Sequence, residues 1–201
     1  MESPSVILFA LFFFLGDHHN SLISWIFLLI WASHYFHRAF IYPHQRRGKQ
    51  KRMPLSIVMI SIIFNGVNCY LNARWLFHFS GGCPSEWYLD LHFIFSIVIF
   101  IIGFIINRHS DYILQTLRKP GENTYKIPQG GTYNLIASPN CLGEIIQRCG
   151  WALATWSVAG LSFAWWTFVN LIPRAKSNLK WYCMTFNDFP KERKALFPWI
   201  W

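Results

Sequence analysis

The sequence predicts an all-α integral membrane protein, a multi-span helical bundle without a Rossmann domain. Three observations predict it. Of the 201 residues 53% are hydrophobic and only 13% charged, about half the charged share of an ordinary soluble domain. The apolar residues form long runs such as Ile94–Ile106, more apolar surface than one soluble core can bury but suited to helices facing lipid. The basic residues behind the net charge of +9 collect between those runs.

The spans follow in order. Val6 to Leu15 is apolar but shorter than the ~20 residues of a perpendicular crossing, and Gly16-Asp17-His18-His19-Asn20 breaks it. Ser21 to Tyr42 is full length and turns polar at His34, Tyr35, His37 and Arg38. Pro54 to Phe79 ends at Gly81-Gly82-Cys83-Pro84. Trp87 to Leu117 is long enough to cross and project. Asn140–Val158 and Leu161–Trp181 read as a helical hairpin, and the tail from Phe186 is basic, then aromatic. These make six spans in one membrane-embedded domain over residues 1–201, with basic loops at 43–53 and 118–139. The turns Asp17–Asn20 and Ser80–Glu86 hold no Lys or Arg. The positive-inside rule therefore puts both basic loops and the C-terminus in the cytosol, of either an endoplasmic reticulum or a bacterial inner membrane.

Composition also narrows the partners. Basic segments alternating with apolar spans argue against nucleic acid and for membrane lipid or an anionic cofactor. The five cysteines show no metal-ligand spacing and read as small buried hydrophobes. No basic n-region precedes the first apolar run, so no cleavable signal peptide is expected. His34 and His37 have a ligand's chemistry but no acidic or Cys companion, so no metal is expected.

Four constellations carry chemistry. Asn107, Asp111 and Arg118 fall on one helical face at the end of the cleanest apolar run. An acid there either lines an interior site or caps the membrane end of its helix beside a basic loop. Residues 119–131, with Lys119, Lys126 and two Pro–Gly-type turns, suit phosphate binding or simply a solvated loop; no dinucleotide fingerprint or P-loop accompanies them. Asn140 is placed to cap the next helix, and Glu144 and Arg148 are spaced to pair, which is either a ligand site or a surface feature. Trp31, Tyr35, Arg38 and Tyr42 share one face as packing or as a site, and Glu2 is either end decoration or a buried acid.

These residues resemble the steroid 5α-reductases (3-oxo-5α-steroid 4-dehydrogenases). The likeness runs collinearly through Glu2–Ser5, His34–Tyr42, Asn107–Leu114, Leu117–Glu122, Tyr125–Gly131, Asn140–Glu144, Ala152–Trp156 and Phe189–Leu196. It implies a seven-helix bundle lacking its first helix here, since Glu2 follows Met1 directly. It implies a monomer that reduces the 4,5 double bond of a bilayer-borne 3-oxo-Δ4-steroid with NADPH. Glu2 and Tyr35 would polarise the 3-oxo group, Glu2 as an acid kept protonated by burial, with Trp31 lining the substrate. Asn107, Asp111, Arg118, Tyr125, Lys126, Asn140, Glu144, Arg174, Tyr182 and Arg193 would surround the cofactor, with Arg38, Arg46 and Lys49 on its phosphates. Two departures stand out: Asn178 falls where a His is usual, and the basic loop Gln50-Lys51-Arg52-Met53 is longer. A reductase of another enone or polyprenol lipid shares the fold, and a non-catalytic scaffold or transporter is the reading from another class.

Overall fold

The computed structural model describes residues 2–45, 54–84, 86–118, 122 and 124–198. Among these, six main helices run alternately up and down: α1 (Ser3–Phe14), α2 (Leu22–Phe36), α3 (Leu55–Arg74), α4 (Leu91–Thr116), α5 (Pro139–Thr155) and α6 (Val158–Thr185). Two carry on through wider π turns, α2 over His37–Ile41 and α3 over Trp75–Phe79. The Ile-rich run of α4 would suit a strand in water. It is helical here, and a helix satisfies its backbone polar groups within the segment, as a membrane crossing would require. Caps mark the starts: Ser21, Asp90 and Ser157 each accept a backbone N–H with the side chain.

Two stretches, Leu55–Phe79 and α4, are long and apolar enough to cross a membrane. Each spans about 38 Å at 1.5 Å per residue, and Ile60, Ile63, Phe95 and Ile105 stand exposed along them.

The tightest pair is α4 against α5, and glycine makes it possible. A Cβ on Gly103 would lie 2.5 Å from the backbone nitrogen of Gln147, and one on Gly143 2.5 Å from that of Asn107. At Gly150 the same atom would meet the Phe100 nitrogen at 2.6 Å. The backbones touch along this stripe, the arrangement by which membrane helices gain van der Waals contact when apolar burial offers no advantage over lipid.

The interior between α1, α2, α3 and α5 is aromatic. Phe9 stacks on Trp31 at 4.3 Å, and Trp151 packs on Phe9, Phe27 and Trp31. Each indole N–H finds an acceptor: Trp31 donates to the Ser5 carbonyl (3.2 Å) and Trp151 to Asn72 Oδ1 (2.9 Å). A second core of Ile136, Cys141, Leu142, Ile145, Ala175 and Leu196 joins α5 and α6 to the C-terminal segment. There Ala137 N–H donates to the Lys194 carbonyl (2.8 Å), and Lys194 N–H to Leu135 (3.2 Å).

Several boundaries and environments differ from the sequence reading. The first helix starts at Ser3, since Pro4 suits a first turn. The last runs on to Thr185 through Pro173. Asn140 is not the cap of α5: Pro139 opens the helix, Ser138 precedes it, and the Ser138 hydroxyl accepts from Asn178 Nδ2 (3.1 Å). Of the cysteines only Cys69 and Cys141 are buried, and Cys183 is exposed.

Candidate functional site

The polar end of the bundle is organised by one guanidinium. Arg38 sits in the π turn that extends α2, a wider turn of the kind common at functional positions. Its Nη2 lies 2.8 Å from Glu144 Oε1 on α5, its Nε 3.3 Å from Glu2 Oε2 at the head of α1, and its Nη1 3.5 Å from Asp111 Oδ2 on α4. Four helices therefore meet at one cation. The Arg38 guanidinium also lies over the Tyr42 ring, 5.2 Å from its centroid.

Asp111 is 1% exposed, and among the described residues neither carboxylate oxygen has a hydrogen-bond donor. A buried carboxylate with one long ion pair is under-satisfied. Its helix neighbour Asn107 is also buried and donates to the Asn140 carbonyl at 2.9 Å, fixing the start of α5 against α4. Arg108 donates to His37 Nδ1 at 2.7 Å. A guanidinium only donates, so that nitrogen is the acceptor and the ring proton sits on Nε2. That Nε2 is buried with no partner among the described residues.

A second polar group lies deeper. His34 is buried and contacts two neighbours on α5: Arg148 Nη2 at 2.7 Å from Nε2, and the Gln147 amide at 3.0 Å from Nδ1. The Arg148 guanidinium lies over the rings of Tyr35 (5.4 Å) and Phe163 (4.7 Å). Tyr35 is 4% exposed and packs on Trp31 at 4.9 Å; its hydroxyl has no hydrogen-bond partner among the described residues.

A third group closes the end from the loop side. Tyr182 stacks on Phe189 (5.2 Å), and the Arg193 guanidinium lies over the same Phe189 ring, 5.4 Å from its centroid, while donating to the Pro128 carbonyl at 2.8 Å. Burial pushes the Arg193 guanidinium below its ordinary pKa, with Tyr182 opposing, and its Nε is buried without a partner among the described residues. Arg118 lies 4.2 Å over the Tyr125 ring, and Tyr125 packs on Trp181. Tyr133, 1% exposed, is near enough to both Tyr182 and Asp111 for their charges to act on it. Burial first, then those neighbours, pushes its phenol above the usual range. Gly131, at φ +52°, runs against the His109 ring: a Cβ there would meet it at 2.5 Å.

The predicted residues thus divide. Glu2, Arg38, Asp111 and Glu144 meet directly, with Asn107 and Asn140 bonded beside them. Arg118, Tyr125, Tyr182 and Arg193 line the loop side. Lys126 is paired with Glu122 at 2.7 Å near the surface, and Arg174 is exposed, close enough to Cys141 to act on it. Arg46 and Lys49 lie outside the described residues. The expectation that Glu2 is an acid kept protonated by burial meets a different setting, because its side chain is 34% exposed and ion-paired with Arg38. Glu144 pairs with Arg38 and Arg148 with His34, in place of the pairing of Glu144 with Arg148. Arg118 leaves the face of Asn107 and Asp111 because the helix ends at Thr116.

Gln147 and Tyr133 are absent from the residues the sequence singled out, and Arg148 entered there only as a spacing partner of Glu144. The signal for Arg148 is its place mid-helix in α5, where a membrane cation needs an interior partner. Tyr133 carries no such signal, since its burial depends on packing between distant segments. No group of three His, Cys, Asp or Glu suited to a metal occurs among the described residues. An apolar groove of about 390 Å³ lies away from these residues, beside Trp75, Phe79 and Val158, so it has no part in this polar centre.

A family model described as 3-oxo-5-alpha-steroid 4-dehydrogenase matches residues 51–201. A steroid 5-alpha-reductase of Solanum lycopersicum is 40% identical over 203 residues, covering 100% of this chain and 78% of the relative. The 3-oxo-5-alpha-steroid 4-dehydrogenase 1 of Bos taurus is 41% identical, covering 92% and 71%. That of Homo sapiens is 42% identical, covering 87% and 67%.

Proposed function

This chain belongs to the 3-oxo-5-alpha-steroid 4-dehydrogenase family, and from that premise we propose that it is a multi-span membrane enzyme that uses NADPH to saturate the 4,5 double bond of a 3-oxo-Δ4-steroid. The observation that carries this reading is the meeting of Glu2, Asp111 and Glu144 around Arg38, three residues along α2 from the buried Tyr35. A polar centre at the end of an aromatic interior suits a lipid-soluble substrate with one polar end.

The unsatisfied groups fit a nucleotide cofactor. Asp111 calls for a donor such as an amide or a ribose hydroxyl, and Arg193 Nε–H for an acceptor such as a phosphate oxygen. In this reading Asp111, Asn107, Tyr182, Arg118 and Arg193 hold NADPH, and Arg38 braces the acids beside it. When bound, NADPH supplies the hydride. The chain's own task is placement and charge. As the β-carbon gains its new C–H bond, the π pair shifts toward the carbonyl and negative charge develops on the 3-oxygen as an enolate. We assign the Tyr35 phenol as the donor to that oxygen, since its hydroxyl is otherwise unpartnered and a donor there acts where charge appears. Glu2 and Glu144 lie close enough to act electrostatically on Tyr35, and Arg38 holds both in place. A proton from solvent at the α-carbon completes the 5α-dihydro product. The basic loops and the C-terminus lie on the cytosolic side in this reading, and substrate enters from the bilayer.

The test is NADPH-dependent conversion of a Δ4-3-ketosteroid by the detergent-purified chain, with product mass and stereochemistry determined. The 5α-dihydro product is expected. NADPH binding without any product would overturn the steroid assignment. Tyr35→Phe is expected to lower kcat about 100-fold while sparing NADPH affinity; unchanged turnover would remove Tyr35 from the carbonyl.

A further inference from the structure

Arg148 is 7% exposed and lies about 13 Å along α5 from its start. A cation at that depth is costly and is ordinarily matched to an acid. Among the described residues it makes no ion pair; its close partners are His34 Nε2 and the faces of Tyr35 and Phe163.

The hydrogen bonds around His34 hold that cation in one orientation. The guanidinium can only donate, so His34 Nε2 carries the lone pair and Nδ1 the proton. With Gln147 Nε2 toward Nδ1, two donors would meet and Gln147 Oε1 would stay buried without a partner. The amide turned end for end satisfies both, and amide orientation is settled by such networks. The chain of bonds then runs from Arg148 to His34 Nε2 and from His34 Nδ1–H to Gln147 Oε1. His34 is fixed as a neutral acceptor, and nothing in this network neutralises Arg148.

We propose that Arg148 is a positioning residue for enone reduction, an uncompensated buried cation held over the Tyr35 ring so that the phenol donates more strongly to the enolate oxygen. The inference rests on the reaction proposed above. A cation over a phenol ring draws electron density from it and strengthens the O–H as a donor. An unpaired charge is also best tolerated where opposite charge appears during the reaction, because the field is already in place when the enolate forms. The Arg148 charge lies 5.4 Å from the Tyr35 ring, so with Tyr35 on the 3-oxygen, as proposed above, it would stand at the carbonyl end of the substrate.

The test is a double-mutant cycle on the purified chain with NADPH and a Δ4-3-ketosteroid. Arg148→Met is expected to lower kcat 30- to 100-fold with NADPH affinity within twofold, and Arg148→Lys to stay within about tenfold of the parent. In a Tyr35→Phe background, Arg148→Met is expected to cost less than threefold more, because the charge acts through the phenol. Met matches the apolar stem and Lys keeps the charge, so a purely packing role predicts the reverse order of Met and Lys and would overturn the proposal. Equal losses in both backgrounds would overturn it as well. Wild-type turnover with additive losses refutes this inference alone, whereas absent wild-type turnover refutes the reaction and the inference with it.

Discussion

Removing the charge of Arg38 separates an organising ion cluster from an incidental one. Arg38→Met keeps most of the stem and leaves Glu2, Asp111 and Glu144 facing one another without their shared cation. Two of the three contacts are short, 2.8 Å to Glu144 and 3.3 Å to Glu2, and the third acid, Asp111, is almost fully buried. Breaking a buried ion pair from one side costs about 3–5 kcal/mol, because the remaining charge stays desolvated. Glu2 is partly exposed and contributes least, so the estimate rests on Asp111 and Glu144. For a chain of this length about 2–4 °C of Tm accompanies each kcal/mol, which predicts a fall of about 10 °C in detergent. Adding Asp111→Asn and Glu144→Gln removes the repelling charges and is expected to restore at least half of the loss. An Arg38→Met protein as stable as the parent, or no recovery on neutralising the acids, would refute the argument that this cation holds four helices together.

Gly143→Ala puts a methyl 2.5 Å from the Asn107 backbone nitrogen and is expected to cost about 1–3 kcal/mol by overpacking. Gly66→Ala, whose methyl would meet only Leu8 at 3.9 Å, should change stability by less than about 1 kcal/mol; thermal unfolding of the pair compares them. Asn72→Leu leaves the buried Trp151 indole without its acceptor and is expected to cost about 1–3 kcal/mol. Trp151→Phe in that background should cost clearly less than it does in the parent, read by the same melts.

Particular residues show how far the sequence could be read. Asp111 could be singled out without a structure, because an acid at the end of Ile94–Ile106 stands out against its surroundings. The tie between Arg38 and Glu2 spans 36 positions, and nothing local signals that the two side chains meet. Glu144 and Arg148 have the spacing of a helical pair. Each nevertheless takes a partner on α2, because long side chains from α2 and α5 reach one another inside the bundle and the cross-helix contacts replace the local one. The glycines at 103, 143 and 150 carry no periodic signal alone; their role appears only when α4 and α5 lie side by side. The stacked Tyr182 and Phe189, and the buried Tyr133 near Tyr182, come from segments brought together by the return of the C-terminal stretch toward the start of α5.

Composition and the spacing of apolar runs by themselves determined helicity, the alternation of the six helices and the gathering of polar residues at one end, since these follow from local hydrogen bonding and from the hydropathy of each segment. Tertiary structure decided which charges pair, which histidine nitrogen carries its proton and which cation lies over Tyr35. Those depend on distances of a few ångströms between helices, and such distances are set by side-chain volume at the contact, down to the missing Cβ of a glycine.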